Sequence, residues 1–282
     1  MTALTDRDWR LIRDDPRNGA IQMALEEVAA RTALEDDLRT VRVYDWEPST
    51  LSLGYQQAPE TVDWEFCAEN GIGVTRRQTG GGGIYHDATA DISYTIVAPA
   101  AEVPGDLMDC YALFCEPILD SFSRMGVDAD FAGAKQDAIY RPSCYLRDIH
   151  PAHDIVAPVS DPNATSRKIS GNAQYRQRDV VIQHGSLSFD LEPDAHIGVF
   201  ATDDLETGTF TDRVTSIHEQ AGIDRVEACE CLEDALGEWC GATEGSWRES
   251  ELEAATELAD RKFGAGAWIR DREVLDAPGG LE

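Results

Sequence analysis

Ile21, Leu25 and Val28 recur at helical spacing within GAIQMALEEVAART, which predicts an amphipathic helix near the start of the chain. Two strand-like runs follow, TVRVYDW and TLSLGY, and Pro48 with Ser49 between them predicts a hairpin. A short helix over 61–70, a strand in GVTRRQ and a glycine turn at 80–83 then lead into IYHD and the strand DISYTIVA. Leu107, Tyr111, Phe114, Cys115, Ile118, Phe122 and Met125 form one apolar stripe, predicting a helix over about 106–125 that Gly126 caps.

Residues 132–167 are polar and proline-rich, with APVSDPNATS before the next strand, and are expected to form a mobile loop. RKISGNAQYR and DVVIQHGSLSFD read as two further strands. From 225 onward the pattern is helical, with Leu252, Ala255 and Ala259 on one face. Hairpins with interspersed helices imply an α+β fold with a mixed, mainly antiparallel sheet flanked by helices. The expected division is a catalytic domain over 18–215 and a helical C-terminal extension over 216–282 packed on it.

Composition narrows the setting. No secretory leader pattern or membrane-length apolar stretch is present, so a cytoplasmic protein without a membrane partner is expected. Fifty-three acidic against 24 basic residues give a formal charge of −29, and Lys135, Lys168 and Lys262 are the three lysines. Scattered acids with few lysines suit a salty cytoplasm, and hence a halophilic archaeal source; the same charge disfavours nucleic acid as a partner. The seven cysteines form no CxxC pair, so reduced thiols and no structural zinc are expected.

Two segments carry candidate chemistry. In Arg76-Arg77-Gln78-Thr79-Gly80-Gly81-Gly82-Gly83, four glycines free the backbone N–H groups to approach an anion, and two arginines add bidentate donors. A glycine-rich turn with solvated arginines fits the spacing equally well. In Lys168-Ile169-Ser170-Gly171, alternation places Lys168 and Ser170 on one face, where a buried lysine needs an anionic partner; an exposed edge-strand lysine is the alternative. His184, taken alone, reads as a structural histidine.

RRQTGGGGIYHD resembles the RRxSGGGxVxHD signature of the lipoate-protein ligase and octanoyltransferase family. KISGNAQYRQRDVVIQHGSL is similar to the family's lysine-strand signature, VRVYDWEPSTLSLGYQQ to its strand pair, and AIQMALEEVA to its first helix. The likeness covers roughly residues 18 to 200; Thr79, Gly83 and Gln22 depart mildly from serine, alanine and asparagine. It implies the fold shared with biotin ligases and an acyl tunnel roofed by the glycine loop. Lys168 would contact the acyl carbonyl or the mixed anhydride. Arg76, Arg77, Thr79, Gly80, Gly81, Gly82, Gly83, His86, Asp87, Ser170, Gly171, Ala173, His184 and Gly185 would bind substrate or nucleotide.

The resemblance leaves two mechanisms. An ATP- and Mg²⁺-dependent ligase activates lipoate or octanoate as an acyl-adenylate and passes it to a carrier lysine. A transferase takes octanoate from a thioester onto a cysteine; Cys144, near Arg147, His150 and His153 in the sequence, is the candidate nucleophile. The salt-adapted composition favours the ligase, which can require a separate accessory subunit. Expected partners are the lipoyl domain of a 2-oxoacid dehydrogenase E2 or the glycine cleavage H protein. A non-catalytic acyl or nucleotide sensor is weaker because it has no need of Lys168; a biotin ligase is weaker because its arginine-rich loop is missing. Lys168→Ala is expected to abolish transfer and leave folding intact.

Overall fold

The computed structural model describes residues 4–159 and 165–275. In chain order the elements are β1 (Trp9–Arg13), α1 (Gly19–Glu35), β2 (Arg39–Tyr44), β3 (Thr50–Leu53), α2 (Trp64–Glu69), β4 (Gly73–Arg76), β5 (Ile84–His86) and β6 (Asp91–Pro99). Then come α3 (Leu107–Arg124), β7 (Asp130–Phe131), β8 (Asp154–Ala157), β9 (Arg167–Arg176), β10 (Val180–Ser188), α4 (Pro193–Gly198), α5 (Thr207–Arg213) and α6 (Ile217–Ala221). The chain continues through α7 (Arg225–Cys240), β11 (Thr243–Glu244), α8 (Glu249–Leu258), a π-helical turn at Ala259–Phe263 and α9 (Gly266–Asp271).

Eight strands form one sheet in the order β11-β1-β2-β6-β10-β9-β8-β7, parallel at β11, β1 and β2 and antiparallel elsewhere. A smaller sheet, β4-β3-β5, stands apart from it. This is the mixed, mainly antiparallel α+β architecture that the pattern implied. The apolar stripe of α3 buries Phe114, Ile118 and Phe122 with Leu232 and Leu236 of α7 against Val41, Ile96 and Val181. Met23, Leu25 and Val28 of α1 share the second core with Leu258 and Phe263 and with Val97 and Ile182 of the large sheet. Each such side chain contributes roughly 1.5–3 kcal/mol on leaving water. Asn18 starts α1 by accepting the Ile21 amide, and Asp106 starts α3 likewise with Met108 and Asp109.

Three expectations need correction. TVRVYDW and TLSLGY do not make a hairpin: β2 sits between β1 and β6, and β3 between β4 and β5. Both strands are buried throughout, so each needs cover on two sides, and residues 45–49 carry the chain from one sheet to the other. The first strand, β1, was not anticipated. The region 132–167 is also less open than its composition suggests. It holds β8 and a turn at 140–147 tied by Ile139 and Tyr140 amides to the Leu146 carbonyl. The APVSDPNATS segment lies in part outside the described residues. Among the described residues no helix is long and apolar enough to cross a membrane.

Candidate active site

A cavity of about 520 Å³ opens between the large sheet, the glycine loop and the 144–154 segment, within the size range of small-molecule sites. Lys168 and Gly171 of β9 and His184 and Ser186 of β10 line one part; Met23, Tyr44 and Trp46 line another. Trp46 reaches over β6, donating its indole N–H to Ser93 at 2.9 Å. The lining includes residues of β9, β10 and β2, and with strands about 4.8 Å apart β9 and β2 lie three spacings, roughly 14 Å, from each other.

At the β9 end, Lys168 Nζ lies 2.7 Å from Asp154 Oδ1, donates to the Cys144 carbonyl at 3.2 Å and stands 4.0 Å from Cys144 Sγ. Lys168 is 2% exposed. Burial works against its charge, but Asp154 and then Cys144 outweigh that and hold its pKa above the usual lysine value. Burial likewise pushes Asp154 up, and Lys168 with His153 overcomes it, leaving the carboxyl well below the ordinary range. The pair is a fixed ammonium and carboxylate. A Cβ at Gly171 would lie 3.3 Å from Lys168 Cε and Nζ, a tight contact, and 3.6 Å from Cys144 Sγ, an ordinary one.

Gly82 and Gly83 pack closely against the cysteine turn, while Gly80 and Gly81 line the cavity. Gly83 donates its amide to Pro142 at 2.6 Å and accepts the Cys144 amide at 2.8 Å. A Cβ on Gly82 would meet the Pro142 carbonyl oxygen at 2.6 Å, Ser143 C at 2.8 Å and the Arg141 carbonyl oxygen at 2.9 Å. Loop and cysteine turn are docked backbone to backbone. Arg77 ties the loop from beneath, donating to the carbonyls of Ser52, Gly80 and Gly82 at 2.7, 3.0 and 2.7 Å and to Thr79 Oγ1 at 2.9 Å. Arg76 is turned away from the cavity and donates to the carbonyls of Gly54, Tyr55, Gln57 and Ile269. Neither arginine is solvated.

Of the residues singled out in the sequence, Arg77, Gly80, Gly81, His86, Cys144, Lys168, Gly171, Ala173, His184 and Gly185 line the cavity. Arg76, Thr79, Gly82, Gly83, Asp87 and Ser170 stand outside its lining. Thr79 supports His184, whose Nε2 it meets at 2.8 Å while Glu26 holds Nδ1 at 2.9 Å. Asp87 caps its own turn through the amides of Thr89 and Ala90. Ser170 does not share the cavity with Lys168: it is buried with its hydroxyl unpartnered. The register between β8 and β9 shifts at Ile155/Val156, opposite these residues, so simple alternation fails there. His86 is fixed between Ser52 Oγ and Asp91 Oδ2, both at 3.0 Å, and stacks on Trp46. Burial lowers its pKa despite Asp91, so the ring is held neutral.

Nothing in the sequence marked Glu26 or Asp91 as members of this site. Asp154 had one usable cue, a carboxylate opening the apolar run DIVA beside a buried lysine strand.

The family described as lipoyl protein ligase A/B catalytic domain matches residues 18–237. The chain belongs to this family. Among relatives, octanoyltransferase LipM of Kyrpidia tusciae is 32% identical over 277 residues, covering 92% of this chain and 97% of that protein. Octanoyltransferase LipM of Bacillus subtilis is 32% identical over 199 residues, covering 68% and 69%. Among solved structures, a bi-partite lipoate protein ligase studied with its E2 lipoyl domain, from Thermoplasma acidophilum, superposes with a TM-score of 0.78 at 22% identity, covering 96% of this chain and 99% of that one. A lipoate-protein ligase A bound with ATP gives 0.76 at 22% identity, covering 94% and 100%. At that identity the two structures establish the fold. As a member of the lipoyl protein ligase A/B family, the protein is an enzyme, either a lipoate-protein ligase or an octanoyl acyltransferase.

Proposed function

We propose that the protein is a cysteine-dependent octanoyltransferase, moving octanoate from a thioester donor to Cys144 and then to a lysine of a lipoyl carrier domain. The observation that carries this reading is Cys144 Sγ standing 4.0 Å from the Lys168 ammonium at one end of the cavity. The LipM names of the relatives support it and reverse the sequence-based preference for the ligase.

The thiolate is the nucleophilic form of cysteine, and an adjacent ammonium neutralises it. Cys144 attacks the donor carbonyl, the donor thiolate leaves, and a thioester forms on Sγ. Eight carbons, at roughly 1.25 Å of advance per zigzag C–C bond, extend about 9 Å, and the cavity that holds Cys144 also has the apolar Met23, Tyr44 and Trp46 in its lining. Lys168 is placed to donate to the acyl oxygen as charge develops there. The carrier lysine then displaces Cys144 and the acyl group leaves as an amide. The lipoyl domain of a 2-oxoacid dehydrogenase E2, or the H protein, is the proposed acceptor.

The ligase reading requires MgATP, and several of the residues expected to cradle it are engaged otherwise. Arg76 and Arg77 are spent on carbonyls and the Gly83 amide on Pro142. With both guanidinium groups committed to backbone carbonyls, the loop offers little to balance the charge of a triphosphate.

Intact-mass analysis with octanoyl-pantetheine tests the reading. One octanoyl adduct should appear on wild-type protein and none on Cys144→Ser, with label then passing to an apo lipoyl domain. Carrier modification by Cys144→Ser at the wild-type rate, with lipoate and MgATP, would reinstate the ligase.

A further inference from the structure

The second half of the proposed reaction needs a proton acceptor that the Cys144–Lys168 pair does not provide. A carrier lysine arrives as an ammonium and must lose a proton before its nitrogen can attack. Lys168 is itself held as an ammonium by Asp154, and Asp154 is held as a carboxylate by Lys168. The base must come from another group in the cavity.

Four histidines line the cavity: His86, His150, His153 and His184. His86 has both ring nitrogens committed, to Ser52 and Asp91. His184 has both committed, to Thr79 and Glu26. His150 accepts the Ala152 amide on Nδ1 at 3.1 Å, so its neutral form carries hydrogen on Nε2 and that nitrogen is a donor. His153 differs. Among the described residues neither of its ring nitrogens has a hydrogen-bond partner; Nδ1 is buried, 3.7 Å from Asp154 Oδ1. Its backbone is fixed, since the carbonyl accepts from Asn172 Nδ2 at 2.8 Å. Its ring is also fixed, parallel to His150 at 5.2 Å and against Tyr111 at 5.2 Å.

We propose that His153 is the proton acceptor for amide formation, a role that rests on the transferase reading. Asp154 links it to Lys168, and Lys168 to the Cys144 sulfur. The carrier ammonium gives one proton to His153, and the amine attacks the carbonyl on Cys144. As the C–S bond breaks, the second nitrogen proton passes to the departing sulfur. The products are the amide, the Cys144 thiol and one proton on His153, which then returns to solvent. Thioester exchange onto Cys144 moves no proton from nitrogen and does not need this group. The charged and titratable groups facing His153 are Asp154 on its own segment, His150 beside it, Tyr111 from α3 and, through Asp154, Lys168 from β9.

The two half-reactions separate the roles. Protein loaded with octanoyl-pantetheine is mixed with apo lipoyl domain in single-turnover quench experiments across pH. His153→Gln should slow transfer about 100-fold, the order expected of a general base, and remove the acid limb of the rate profile. Loading of Cys144 should fall much less, which shows that the variant is folded. Added imidazole should restore transfer in His153→Gly. Transfer by His153→Gln within about threefold of wild type, or an acid limb that survives the substitution, overturns the assignment. If wild-type protein never forms the Cys144 adduct, the transferase reading fails first, and the role of His153 fails with it.

Discussion

Lys168 and Asp154 face each other in a cavity wall, both almost fully buried, which makes them structural as well as chemical. Reading Lys168→Ala from the sequence as harmless to the fold has to be revised. Removing the ammonium strands a buried carboxylate, and breaking such a pair costs about 3–5 kcal/mol. We expect Lys168→Met to be strongly destabilised in urea and the double variant with Asp154→Asn to recover much of the loss; equal midpoints for single and double variants would show that the pair is not coupled. The pH window follows from the shifts. Asp154 is depressed in the folded state, so its contribution is present above the unfolded value near 3.9 and is lost as pH falls through the folded value. Lys168 is raised, so its contribution is present below 10.5 and is lost as pH rises through the folded value. The difference in urea midpoint between wild type and the double variant should therefore be flat from about pH 4 to 10 and shrink outside. The sequence showed Lys168, Cys144 and Gly171 because residue type and motif order mark them. Asp154 and Glu26 were hidden because their partners lie 14 and 158 positions away in the chain.

At the level of elements, the glycine loop and the cysteine turn act as one piece. The motif announced the loop plainly, but a run of glycines is compatible with an anion nest and with close backbone packing, and only the partner strand distinguishes them. Here the partner is Pro142–Cys144. Gly82→Val should prise the two apart and reduce Cys144 loading by at least about 100-fold, read by intact mass. Retained loading would mean that the docking is dispensable. The long apolar stripes of α1 and α3 were readable because each buries a continuous face, whereas the hairpin was misread because local turn residues do not reveal which sheet a strand joins. The C-terminal helices contribute more than covering. Thr75 donates to the Phe263 carbonyl, Trp268 to the Arg76 carbonyl and Arg76 to the Ile269 carbonyl, so the strand feeding the loop is clasped from behind. Nothing in the spacing of Leu252, Ala255 and Ala259 pointed to that clasp.

Over the whole molecule, a formal charge of −29 on 282 residues means substantial self-repulsion at low ionic strength. Screening reaches about 10 Å at 0.1 M salt and about 3 Å at 1 M. Thermal midpoints should therefore rise from low salt to molar salt, and a midpoint independent of salt would show that the scattered acids are neutralised locally by their arginine partners. The large sheet sets a further property of the molecule. On the transferase reading, an acyl chain laid from Cys144 past β10 toward Tyr44 of β2 crosses the strands, and one strand spacing equals about four carbons. The sheet is then a ruler with coarse graduations, and Tyr44 and Trp46 line the part of the cavity where its longer marks fall.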